Sequence, residues 1–248
     1  MNSPACAYFV AGTDTEIGKT LIASCLLHAL AAAGVAAAGM KPVAAGAEWR
    51  DGAWHNDDAD ALAAHAGVSL PTDLATPYLL HQPTAPHIAA KLENHPIELP
   101  HILECYQQIA ARAGAVVVEG VGGFRVPLND TTDTADLAGQ LGLPVVLVVG
   151  LRLGAISHTL LTTEAIAARG LPLAGWVANT VDPDLLNSEA TVAALASRID
   201  APLLGWVPRI SARSAPTAIE RVAAAASYLN FSKLPGWSTN PSSLSISG

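Results

Sequence analysis

The segment that most constrains this chain runs from residue 8 to residue 30. It passes from an apolar run, Tyr8-Phe9-Val10-Ala11, through Gly12-Thr13-Asp14-Thr15-Glu16-Ile17-Gly18-Lys19-Thr20, into a stretch with Ile22, Leu26, Ala29 and Leu30 at helical spacing. A buried strand, a glycine loop and a helix in that order call for a layered α/β arrangement, because both the strand and the apolar face of the helix need a sheet to pack against. A loop of this kind wraps backbone N–H groups around phosphate oxygens and aims the positive helix end at them. Lys19 then reaches the terminal phosphates, and the Thr20 hydroxyl ligates Mg²⁺. The strict pattern places a glycine six positions before Lys19, where this chain has Thr13; its glycine comes one residue earlier, at Gly12. Taken alone, the loop points to ATP or GTP and no further.

Other apolar, β-branched runs bounded by Gly or Pro lie near residues 35–42, 115–119, 144–150, 173–179 and 203–208, besides 7–11. Helical spacing recurs over about 155–168, 183–197 and 216–229. This alternation predicts an α/β fold with a mostly parallel sheet and helices on both faces. A single domain is expected over 1–233, with the Ser-, Pro- and Gly-rich stretch 234–248 as a frayed tail. The region 47–101 is broken by Gly52, Pro71, Pro77, Pro83, Pro86, Pro96 and Pro100. Loops and short helices are expected there, at the mouth of a site.

Charge narrows the partners. Thirteen Lys plus Arg against 21 Asp plus Glu leave a net charge of −8, so the field of the whole molecule repels nucleic acid and anionic lipid, and neither is expected as a partner. No run approaches the roughly 18–20 apolar residues of a membrane span, and the N-terminus lacks a secretory pattern. A cytoplasmic location is the expectation. Cys6, Cys25 and Cys105 are odd in number and widely spaced, which suits reduced core thiols rather than a disulfide framework or a zinc site.

Eight blocks carry a resemblance that spans roughly residues 8–229. They are GTDTEIGKT at 12–20, KPVAAGAE at 41–48, NDDADAL at 56–62, QPTAPHIAA at 82–90, VEGVGG at 118–123, VVGLRLGAISH at 148–158, GWVANTV at 175–181 and PLLGWVPR at 202–209. In this order the sequence resembles the dethiobiotin synthetases, ATP-dependent enzymes that close the ureido ring late in biotin synthesis. The resemblance implies a single P-loop NTPase domain, a homodimer with its active site near the interface, ATP as co-substrate with Mg²⁺, and 7,8-diaminononanoate with CO₂ or bicarbonate as the other substrates.

Closing a cyclic urea needs a carbamate, its phosphorylation, and displacement of phosphate by the second amine, so the site must gather cations around anions. Lys19 is one cation by loop geometry. Lys41 is another: it follows the apolar run 35–40, at the strand end where open α/β sheets bind ligands. By resemblance Lys41 is catalytic alongside Lys19. The resemblance further implies ATP contacts from Thr15, Glu16, Ile17, Gly18, Lys19, Thr20, Leu21, Asp58, Glu119, Gly120, Val121, Gly122, Asn179, Thr180, Pro208, Arg209 and Ile210, with Asn179 reading adenine. It implies Mg²⁺ ligation by Thr20, Asp58 and Glu119, although Asp57, Asp58 and Asp60 crowd one loop and sequence does not separate them. Substrate contacts are implied for Thr15, Lys41, Ala45, Gly154, Ala155 and Ile156, the last three as a helix N-terminus for the substrate carboxylate.

Two positions depart from the family: Ala45 stands where a serine often contacts substrate, and Ala215 where an acid often meets the ribose. His87 is a candidate for lining the diamine pocket, and Trp49 and Trp54 either cover the site or pack beside it. Among enzymes of related fold, a cobyrinate-type amidase needs a glutamine-hydrolysing half for which no segment supplies the length. Partitioning ATPases carry an extra loop lysine where this chain has Asp14.

Overall fold

The computed structural model describes residues 4–211 and 213–237. The first half of the chain forms β1 (Cys6–Gly12), α1 (Lys19–Ala32), β2 (Ala37–Met40), β3 (Val43–Ala45), β4 (Glu48–Arg50), β5 (Ala53–His55), α2 (Asp57–His65), α3 (Thr72–Ala75), β6 (Tyr78–Leu80), α4 (Pro86–Leu92) and α5 (Leu99–Ala110). The second half forms β7 (Ala115–Glu119), α6 (Thr134–Leu141), β8 (Val145–Leu151), α7 (Ala155–Ala168), β9 (Leu173–Thr180), α8 (Ser188–Ala196), β10 (Leu203–Val207) and α9 (Ala218–Ala226).

Six strands make one sheet in the order β10-β9-β8-β1-β7-β2, and every pair in it is parallel. Successive side chains of a strand point to opposite faces, so a sheet covered on both sides requires apolar residues at every position. Strand β7 meets that demand: Val116 and Val118 join the core that contains Phe9, Leu147, Ile102 and Leu137, while Ala115 and Val117 join the core that contains Tyr8, Val148, Leu26 and Val222. Helices α5, α6 and α7 therefore cover one face, and α1 and α9 the other. Each fully buried Val, Leu or Phe contributes up to about 1.5–3 kcal/mol, before the compactness of the unfolded chain is allowed for.

Strand order reverses around β1. The chain leaves it for β2 at one edge, returns to β7 beside β1, then crosses to β8 on its other side. Crevices of open α/β sheets form at the carboxyl ends of strands where the order reverses, and the loop 13–18 occupies that place.

Three features differ from the sequence expectation. The run 35–42 holds β2 of the main sheet as expected, but beyond Pro42 a further strand, β3, pairs in parallel with β6 in a sheet of its own. The region 47–101 holds the antiparallel ribbon β4–β5 in addition to short helices. The packed chain also runs past residue 233, because Leu234 is buried and the Tyr8 hydroxyl donates to the Pro235 carbonyl at 2.7 Å. Residues 238–248 of the expected tail lie outside the described residues. Among the described residues, no helix is long and apolar enough to cross a membrane.

Candidate functional site

Three neighbouring strands end at one rim. The loop leaves β1, Lys41 follows β2, and Glu119 closes β7. The loop takes its shape from two close approaches. Gly18 has φ of 89°, and a Cβ there would lie 2.3 Å from Asn179 Nδ2, so both backbone and space exclude a side chain. The Asn179 amide in turn donates to the Ile17 carbonyl at 2.8 Å. A Cβ at Gly12 would lie 2.8 Å from the Lys19 stem. The displaced glycine thus gives Lys19 room to lie along the loop, where its Nζ donates to the Asp14 carbonyl at 2.8 Å.

The acids come from different elements. Helix α2 is capped by Asn56, whose Oδ1 accepts from the Asp58 and Ala59 amides, while its Nδ2 donates to the Ala45 carbonyl at 3.2 Å. That cap turns Asp58 inward. Asp57 pairs with Arg50, and Asp60 with Arg50 and His55, so the geometry separates the three aspartates that sequence left together.

At the centre, Lys41 Nζ donates to Glu119 Oε1 at 2.5 Å, Asp58 Oδ2 at 2.8 Å and the Gly120 carbonyl at 3.2 Å. The Thr20 hydroxyl lies 2.7 Å from Asp58 Oδ1 and 2.9 Å from Glu119 Oε1. Burial works against charge on Lys41, yet Glu119 and Asp58 hold it above the ordinary lysine range. Burial raises the Glu119 carboxyl above the usual carboxylate range, even against the Lys41 charge. For Asp58, burial is outweighed by the Lys41 charge and by hydrogen bonds from Lys41 and Thr20, which keep it low. Burial, and then the Lys41 charge, bring Lys19 down to about 8. Lys41 and Glu119 are thus held out of water, while Asp58 keeps 45% of its side chain exposed.

These groups line a cavity of about 800 Å³. Thr15, Glu16, Gly18, Lys19, Thr20, Lys41, Ala45, Asp58, Glu119, Val121 and Gly122 of the sequence-derived set all lie on its wall. Gly120 is absent from the wall, and its carbonyl meets Lys41 instead. Ile17 and Leu21 are absent from the wall; Ile17 is buried in the core beneath α1, and Leu21 packs against that core. Asn179, Thr180, Pro208, Arg209 and Ile210 are absent from the wall; the first two end β9 against the loop, with Thr180 Oγ1 accepting from Trp206 Nε1, and the last three follow β10. Gly154, Ala155 and Ile156 also lie off it, at the start of α7. Ala215 is buried.

Sequence reasoning missed one wall: Pro83, Thr84, Ala85 and Pro86, with Ala44 and Val126. The block at 82–90 was the available signal, but it drew attention to His87, which is absent from the wall. Trp49 and Trp54 do not line it either. They pack edge to face on the β4–β5 ribbon, and Trp54 stacks on His81 at 3.7 Å.

A phosphate loop at the switch point of a parallel sheet, with an acid ending the adjacent strand, defines a P-loop NTPase. The solved structure of MinD from Pyrococcus horikoshii, complexed with Mg-ADP, shares this fold at a TM-score of 0.52 and 14% identity, over 88% of this chain and 86% of that one. A family model described as an AAA domain matches residues 6–217. Among curated proteins, the ATP-dependent dethiobiotin synthetase of Janthinobacterium sp. (strain Marseille) is 60% identical over 92% of this chain and 96% of its own. That of Aromatoleum aromaticum is 58% identical over 83% and 91%. The chain belongs to the ATP-dependent dethiobiotin synthetase family.

Proposed function

We propose that this chain closes the ureido ring of dethiobiotin from 7,8-diaminononanoate, CO₂ and ATP, releasing ADP and phosphate. The observation that carries the reading is the buried lysine between two carboxylates at the rim of a phosphate loop, in a chain of this family. One substrate amine takes up CO₂ as a carbamate, a carbamate oxygen accepts the terminal phosphoryl group of ATP, and the second amine displaces phosphate from the resulting carbamic-phosphoric anhydride.

Lys19 and the loop amides hold the polyphosphate. Lys41 turns from its carboxylates toward the carbamate and the transferring phosphoryl group, whose charge it offsets. Thr15 and the wall 83–86 confine the diamine, Ala45 presents no hydroxyl to it, and Asn179, Thr180 and 208–210 receive the base.

Thr20, Asp58 and Glu119 suit a divalent ion. Thr20 has one proton to share between two carboxylates, and Glu119 Oε2 is buried with no hydrogen-bond partner among the described residues. An all-oxygen set leaving room for water and phosphate fits Mg²⁺, which when bound would neutralise phosphate charge. The substrate carboxylate is assigned to the N-terminus of α7 at Gly154, Ala155 and Ile156, where the Ala155 amide already donates to the Arg152 carbonyl at 3.0 Å. Leu153, Ile156 and Leu161 are exposed beside it, which favours a homodimer closing there. The setting is cytoplasmic.

The test is incubation with Mg-ATP, labelled bicarbonate and 7,8-diaminononanoate. Acid-stable label in a cyclic urea, formed together with ADP, is the expected result; ADP formation indifferent to the diamine contradicts the reading.

A further inference from the structure

We propose that Arg152 is a positioning residue that holds the phosphate loop ready for nucleotide. Asp14 sets that loop through three contacts: its Oδ1 accepts from the Thr15 amide at 2.7 Å, its carbonyl accepts from Lys19 Nζ at 2.8 Å, and its Oδ2 accepts from the Arg152 guanidinium. Arg152 comes from just beyond β8, the strand beside β1, so this tie joins segments 138 residues apart in sequence. It does not line the cavity.

Its role follows from charge. The loop read here as a polyphosphate cradle carries two acids, Asp14 and Glu16, and an uncompensated carboxylate beside a polyanion lowers affinity. Arg152 neutralises the Asp14 carboxylate and fixes its direction, which leaves the Asp14 carbonyl aimed at Lys19 before nucleotide arrives. Preorganisation of this kind appears in binding because the loop pays less ordering entropy.

The inference rests on the reading of the loop as the ATP site, and its test is read in nucleotide affinity. Titration with a fluorescent ATP analogue in Mg²⁺ should show Arg152→Ala weakening binding by about tenfold, with Arg152→Lys recovering most of it. Adding Asp14→Asn to Arg152→Ala should bring affinity back toward that of the parent chain, because the stranded negative charge is then gone. A purely structural tie would not respond to that second change. Arg152→Gln, which keeps a donor and much of the packing, supplies the comparison if Arg152→Ala does not fold. Unchanged affinity in Arg152→Ala or Arg152→Gln, or a double variant weaker than Arg152→Ala, overturns the proposal. If the parent chain binds ATP but makes no cyclic urea, the functional reading fails while the Arg152 comparison stands. If cyclic urea forms and the Arg152 variants bind normally, the Arg152 inference alone fails.

Discussion

A lysine that is 2% exposed stays an ammonium only because two carboxylates meet it, and that arrangement is stable until a better anion arrives. Removing it leaves Glu119 without its counter-charge. Lys41→Ala is therefore expected to lower kcat by about 10²–10³-fold, as loss of a transition-state donor does, while nucleotide still binds to the loop; cyclic urea formation and nucleotide titration on the folded variant check this. Gly18→Ala is expected to cost about 1–3 kcal/mol, because the φ of 89° and the Asn179 amide both oppose a Cβ, and a urea midpoint measures it. At this scale the residues that meet at the rim were legible: Lys19 and Thr20 from loop spacing, Lys41 from its place after an apolar run, and Glu119 through the resemblance. Asp58 was not separable from Asp57 and Asp60, since the choice is made by the Arg50 pairings and by the Asn56 cap. The wall 83–86 was illegible for a different reason, because it supplies shape rather than charge.

Helix α2 shows how an element delivers a carboxylate to the cluster. Asn56 uses its oxygen to cap the helix and its amide to hold the Ala45 carbonyl. Asn56→Ala is expected to cost about 1 kcal/mol through the lost cap and to weaken Mg²⁺-dependent ATP binding by freeing Asp58; Asn56→Asp retains the cap and is expected to keep the stability but not all of the affinity. Thermal unfolding set beside ATP titration separates the two effects. Elements with long, continuous apolar runs, such as β7 and β8, were readable because both of their faces are buried. The same cannot be said of β3, β6 and the β4–β5 ribbon. These strands have three residues each, too few for a period to emerge, and their existence depends on partners distant in sequence.

For the whole molecule, the sheet order places the ends of β1, β7 and β2 side by side, so the loop, Lys41 and Glu119 share one rim. Ligand that binds only the folded chain stabilises it by mass action, about 2.7 kcal/mol at a hundredfold excess over Kd. For a chain of this length that corresponds to a rise in Tm of about 5–10 °C. The rise is expected with Mg-ATP and should shrink when EDTA is added with the same ATP, as scanning calorimetry would record. The central claim is that the two ammonium groups meet at the outermost phosphate. A crystal structure with Mg²⁺ and a non-hydrolysable ATP analogue tests it most directly: Lys19 Nζ and Lys41 Nζ should both lie at hydrogen-bond distance, about 2.7–3.2 Å, from oxygens of the terminal phosphate or of a carbamate beside it. Lys41 still locked to Glu119 and Asp58, with its nitrogen turned away from that phosphate, would contradict the account.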